Sequence, residues 1–185
     1  MVATLALGVA ACGGEGDEGG AGTPESELTA AEATAPLTKA PAELEALRRQ
    51  ANQILDGGLD AFRARLAELE GTPVVVNKWA SWCGPCREEF PIFQSQAIER
   101  ADEVAFLGLL SDDGPETGAT FLAELPLPYP SYLDPDLEIA NAFRALREFP
   151  ATLFIDAGGD VVFTKLGPYT DEAALAADIE LYASQ

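Results

Sequence analysis

Two cysteines stand three positions apart in the run Trp79-Ala80-Ser81-Trp82-Cys83-Gly84-Pro85-Cys86. That spacing lets both sulfurs meet in one small ring, so a disulfide between them can be made and broken. The pair comes right after an apolar run, Pro73 to Val76, and at the start of a helix-like one. A helix N-terminus carries unpaired N–H groups and about half a positive charge. A thiolate at Cys83 would be stabilised there, and thiols so placed drop from about 8.5 to 7 or well below. The anion is the nucleophile of disulfide exchange. Cys86, one turn deeper and more buried, would attack the mixed disulfide formed on Cys83 and release the substrate reduced. Pro85 has its φ fixed near the helical value, and its missing N–H costs nothing in a first turn. This chemistry requires a Cys83 that solvent reaches and a Cys86 close enough to close the ring.

Other chemistries for the pair fare worse. Zinc wants four ligands, and the chain has no histidine and only Cys12 as a further sulfur. No metal and no other cofactor is therefore expected. A static structural disulfide over so short a loop would add little stability. A non-catalytic binding protein that keeps the motif as a relic would show an ordinary thiol.

The rest of the chain must position this pair. Its 185 residues allow one domain of ordinary size with some extra sequence. An apolar fraction of 48% suffices for a full core without disulfide staples. A net charge of −20 argues against nucleic acid as a partner and for a solvated, self-repelling surface. The chain is expected to be a monomer.

Cys12 is left over from the pair. It ends the string Val9-Ala10-Ala11-Cys12 after a short apolar run. Small residues before a cysteine resemble a bacterial lipoprotein cleavage box, in which the cysteine becomes the new N-terminus and carries lipid. That run is too short to span a bilayer and lacks the basic residues usual before a signal core. Residues 1–12 are read as a lipoprotein-type signal segment. Residues 13–40 are rich in Gly, Ala, Thr and Glu and nearly free of large apolar side chains, so they are expected to form a flexible tether.

The folded domain is expected over 41–185. Leu44, Leu47, Ala51 and Ile54 recur at helical spacing up to Gly57-Gly58, and Leu59, Phe62, Leu66 and Leu69 repeat the pattern up to Gly71. Pro73 to Trp79 reads as a buried strand, and a helix from about Cys86 to Ile98 follows, with a kink at Pro91. Strands are expected at Val104 to Leu110 and around Tyr129 to Leu133, with a helix from Pro115 to Leu125 between them. A helix from Asp136 to Leu146 comes next, then a hairpin of Ala151 to Ile155 with Val161 to Leu166. Asp171 opens a last helix carrying Leu175, Ile179 and Tyr182. The order implies an α/β fold with a central mixed sheet, helices on both faces, parallel strands early and an antiparallel hairpin late, preceded by an N-terminal helical extension.

The motif Trp82-Cys83-Gly84-Pro85-Cys86 resembles that of the thioredoxin superfamily. With Asn77 six before Cys83 and Glu89-Phe90-Pro91 after the pair, residues 58–185 look like its extracytoplasmic TlpA/ResA-like branch. The resemblance implies a thioredoxin-like fold and a thiol-disulfide oxidoreductase. It also implies a cis-proline facing the cysteines, for which Phe149-Pro150-Ala151-Thr152 is the match, with the Phe149 backbone free to pair with an extended substrate. Thioredoxins proper keep a buried aspartate where this chain has Asn77. In the ResA-like branch a glutamate six after the first cysteine fills that need, here Glu89. Trp82, Gly84 and Pro85 would face the substrate, and Trp79 would lie in the core. Lys78 departs from the family, which has an aromatic there; its partner cannot be named from sequence.

The Gly84-Pro85 pair is the one found in reducing thioredoxins, near about −270 mV against about −120 mV for strong oxidants. The resemblance therefore implies a reductant of protein disulfides, apocytochrome c among them, fed by a membrane thiol donor and lipid-anchored outside the cytoplasm through Cys12. An oxidising or isomerising role is the rival within the class. Peroxiredoxin-like sites resemble Pro-x-x-x-Thr-x-x-Cys; here Ala80 stands three before Cys83, and the hydroxyl is missing.

Overall fold

The computed structural model describes Met1 and residues 28–145 and 148–183. Cys12 and most of the expected tether lie outside the described residues, as does the end of the helix expected to reach Leu146. Six strands form one sheet: β1 (Ile54–Leu55), β2 (Val74–Trp79), β3 (Ala105–Ser111), β4 (Ser131–Asp134), β5 (Ala151–Ile155) and β6 (Val161–Leu166), in the order β1-β4-β3-β2-β5-β6. The first four run parallel to one another, while β5 is antiparallel to both β2 and β6. All six residues of β2 are buried, as a strand covered on both faces must be.

Alternation divides β2 between two cores. Val75 and Trp79 face a cluster built from α4 (Gly84–Glu99), α5 (Pro115–Glu124) and α7 (Glu172–Asp178), through Phe90, Phe93, Phe121 and Leu175. Val74 and Val76 face α2 (Ala42–Arg48), α3 (Gly58–Glu68) and α6 (Glu138–Ala142), through Leu44, Phe62 and Ile139. Trp79 is fully buried, its indole N–H donating to Ser131 Oγ at 3.1 Å. Gly108 lies beneath that bond: a Cβ there would collide with the Ser131 hydroxyl and crowd the indole nitrogen.

Several boundaries differ from the periodicity. Ile54 is not the end of a first helix; α2 stops at Arg48, and Ile54 pairs with Ser131 as an edge strand. Asn52, at φ 61°, turns the chain, and it is captured at both ends, its N–H donating to Tyr129 O and its Oδ1 accepting from Leu127 N–H. The stretch read as the end of a tether is partly packed. Thr29 caps a short helix α1 (Ala30–Ala33), and the Arg48 guanidinium donates to the carbonyls of Glu32, Ala35 and Pro128. The helix expected from Asp136 is only α6, because Leu137 sits at φ 59° and Asp134 accepts from the N–H groups of Ile139 and Ala140. The helix after the cysteines runs unbroken past Pro91 to Glu99. Asp171 caps α7 by accepting from Ala174 N–H, and a π-helical turn, Ile179–Ala183, closes the described chain.

Candidate active site

β2 ends at Trp79, and four residues later the chain enters α4, so the turn between them stands at the C-terminal edge of the parallel strands. Ligand sites of open α/β sheets form at that edge. The turn is pinned by Ser81 N–H, which donates to Asp113 Oδ2 at 2.6 Å. Cys83 is the N-cap of α4, which starts at Gly84, two residues before the expected start at Cys86, with Pro85 in the first turn. Its sulfur accepts from the Cys86 N–H at 3.1 Å, one of the donors that a helix start leaves unpaired. The two cysteines are joined in a disulfide, with Cα atoms 5.3 Å apart, so the ring closes.

The accessibility of the pair differs from the sequence reading in one respect. Cys86 is fully buried, the deeper of the two, but Cys83 is only 4% exposed. In the disulfide its sulfur is turned toward Cys86 and belongs to the apolar cluster of Trp79 and Phe90, against which Phe149 packs. Gly84 and Pro85 beside it are exposed, and Trp82 is 57% exposed.

Glu89 lies one turn beyond Cys86 on α4 and is fully buried, whereas its neighbour Glu88 is exposed. Its Oε1 accepts from Asn77 Nδ2 at 2.7 Å and its Oε2 from Tyr169 N–H at 3.0 Å. Burial lifts the carboxyl to about 7, against the downward pull of the Tyr169 N–H, Asn77 and the Lys165 charge. The Asn77 contact was missed from sequence. The signal was available: Asn77 has the parity of Val75 and Trp79, which puts it on the α4 face.

Phe149–Pro150 is a cis peptide bond, and Pro150 precedes β5, whose register sets Ala151 opposite Lys78. Phe149 is half-buried, with its ring centroid 4.8 Å from that of Trp82. The Trp82 indole N–H donates to Asp112 O at 3.0 Å. Lys78, whose partners sequence could not supply, is fully buried; its Nζ donates to Glu148 O at 3.0 Å and lies 3.6 Å from the Phe149 ring centroid.

Trp82, Cys83, Cys86 and the Phe149-Pro150 loop thus meet at one place, with Glu89 on the helix beneath. Such a sheet with a cysteine pair at the N-terminus of its central helix defines the thioredoxin-like class. The chain belongs to the AhpC/TSA family, whose sequence profile matches residues 40–164. It is 31% identical over 104 residues to the "Thiol-disulfide oxidoreductase ResA" of Oceanobacillus iheyensis, covering 56% of this chain and 54% of that protein. It is likewise 31% identical over 104 residues to the "Thiol:disulfide interchange protein HelX" of Rhodobacter capsulatus, covering 56% of this chain and 57% of the relative. The chain spans about half of the length of these curated relatives. Among solved structures, a thiol:disulfide interchange protein DsbE from Chlorobium tepidum superposes with a TM-score of 0.58 at 27% identity, over 63% of this chain and 83% of that one. The residue three before Cys83 is the fully buried Ala80, so the hydroxyl of a peroxidase-type site is lacking there.

Proposed function

We propose that the protein is a thiol-disulfide oxidoreductase that reduces protein disulfides outside the cytoplasm. The observation that carries this is the Cys83–Cys86 disulfide at the start of α4, with the Cys86 N–H directed at the Cys83 sulfur. In the reduced protein the Cys83 thiolate attacks one sulfur of a substrate disulfide, forming a mixed disulfide and expelling the other substrate sulfur as a thiolate. Cys86 gives up its proton and attacks the Cys83 sulfur. The substrate leaves with two thiols and the protein keeps the two-electron deficit as its own disulfide. A dithiol donor restores the reduced pair by the reverse exchange.

Glu89 is the proton acceptor for Cys86 in this scheme. A carboxyl raised to about 7 is poised to take a proton near neutral pH, and it sits one helical turn from that thiol. Trp82, Gly84, Pro85, Phe149 and Pro150 form the surface on which the substrate chain docks. The resemblance of residues 58–185 to an extracytoplasmic branch of the superfamily supports an extracytoplasmic setting. On the same footing we place apocytochrome c among the substrates, a membrane thiol carrier as donor, and a lipid on Cys12 as tether. Trapping tests the reading: Cys86→Ser cannot resolve the intermediate, and mixed disulfides with partner proteins should accumulate on Cys83. Loss of those adducts on adding Cys83→Ala is expected. A Cys86→Ser protein that gathers no adduct from cells contradicts the scheme. A reduction potential above roughly −150 mV would make it an oxidant rather than a reductant.

A further inference from the structure

Lys78 is a buried cation at the centre of a sheet, in a position where an apolar side chain would pack at no electrostatic cost. Taking an ammonium out of water costs several kcal/mol unless its partners repay it. Two of its partners lie in one loop, 70 residues further along the chain: the Glu148 carbonyl at 3.0 Å and the face of the Phe149 ring at 3.6 Å. A cation over an aromatic face is attracted to the ring's quadrupole, most strongly where water is excluded. Burial pulls the ammonium down to about 8, against the raising influence of the carboxylates of Asp134, Asp112 and Glu148, which leaves it cationic at neutral pH.

The contacts continue outward. Phe149 packs on Trp82, and the Trp82 indole is tied to Asp112 O. On the other side of the loop, Gly167 N–H donates to Pro150 O at 3.0 Å. One line of contacts therefore runs from the C-terminal end of β2 through the Lys78 ammonium to the aromatic rim beside Cys83. We infer that Lys78 is a positioning residue: its buried ammonium holds the Glu148-Phe149-Pro150 loop, and through the Phe149 ring Trp82, in the arrangement that docks an extended polypeptide beside Cys83.

This inference rests on the proposed exchange reaction and predicts a selectivity within it. A protein substrate uses the loop and rim, whereas a small disulfide such as glutathione disulfide needs only the sulfur. In the full chain, Lys78→Met should raise KM for insulin about tenfold with little change in kcat, and should change kcat/KM for glutathione disulfide by less than about twofold. Trp82 loses its fixed ring partner, so the protein's tryptophan emission should shift to the red. Lys78→Arg keeps the cation and should recover most of the insulin KM. If Lys78→Met does not fold, Lys78→Leu, which likewise removes the cation, should give the same selective rise. An insulin KM unchanged in folded Lys78→Met, or in folded Lys78→Leu, overturns the inference, as does an equal loss on both substrates. The underlying reaction fails separately: a wild-type protein that reduces neither insulin nor glutathione disulfide contradicts the proposed function itself.

Discussion

Asn77 and Lys78 are consecutive residues of β2, both buried, and they serve opposite ends of the site. Asn77 points to the α4 face and donates to Glu89, while Lys78 belongs to the other parity and reaches the loop before β5. Each thereby connects the sheet to a buried charge, its own or a neighbour's. The two charges are handled differently. Glu89 receives two N–H donors, yet burial still lifts it to about 7, inside the range where a proton can be exchanged. Lys78 is drawn only to about 8 and remains a cation at neutral pH, held by a carbonyl and a ring. In the proposed scheme burial of the first charge makes a proton acceptor, and burial of the second fixes a shape. The same desolvation would then give chemistry on one face and geometry on the other.

Substitutions should separate the two. Glu89→Gln keeps the volume and removes the titration, and it should lower the rate of disulfide exchange near pH 8 about 10²-fold, within the usual range for a lost acid–base group. The inflection of the rate near pH 7 should vanish with it, on protein and small disulfides alike. Lys78→Met should instead spare the pH profile and act on KM for proteins. A Glu89→Gln protein with wild-type rate and pH profile would erase the distinction.

Stability against pH gives a smaller effect with a definite sign. The folded-state value of Glu89 is raised, so between about 4.5 and 7 the folded chain holds a proton that the unfolded chain has released. The contribution of this group is fully present below about 4.5 and is lost as pH rises through about 7. The total lost is about 3 kcal/mol for a shift of this size. Urea unfolding at a series of pH values measures it. The curve for Glu89→Gln should lack that fall, whereas Lys78→Met should retain it.

How much could be read from sequence follows the reach of each interaction. The cysteine pair, Pro85 and the α4 start are local, and their arrangement follows from spacing within a dozen residues. The cis-proline position and Glu89 came with the family resemblance. Ile54 was misread because helical spacing continues through it; its partner Ser131 lies far along the chain, and only pairing made a strand of two residues. The partners of Lys78 were invisible for the same reason. Arg48 binds three carbonyls, two of them in a segment whose composition suggested a tether, and spacing reveals none of these partners. Cys83 is shielded within an apolar cluster against which the distant Phe149 packs, a contact that spacing does not reveal.

The central claim is that, once reduced, Cys83 is a reachable thiolate held at a helix N-terminus. Alkylation by iodoacetamide of the reduced, native protein, followed against pH with peptide mapping of the modified residue, addresses it directly. The account predicts that Cys83 is modified ahead of Cys86 and reacts at close to its full rate at pH 7, where a thiol near about 8.5 is almost entirely protonated. A Cys83 that stays unmodified until the protein unfolds, or that follows the profile of an ordinary thiol, would contradict it.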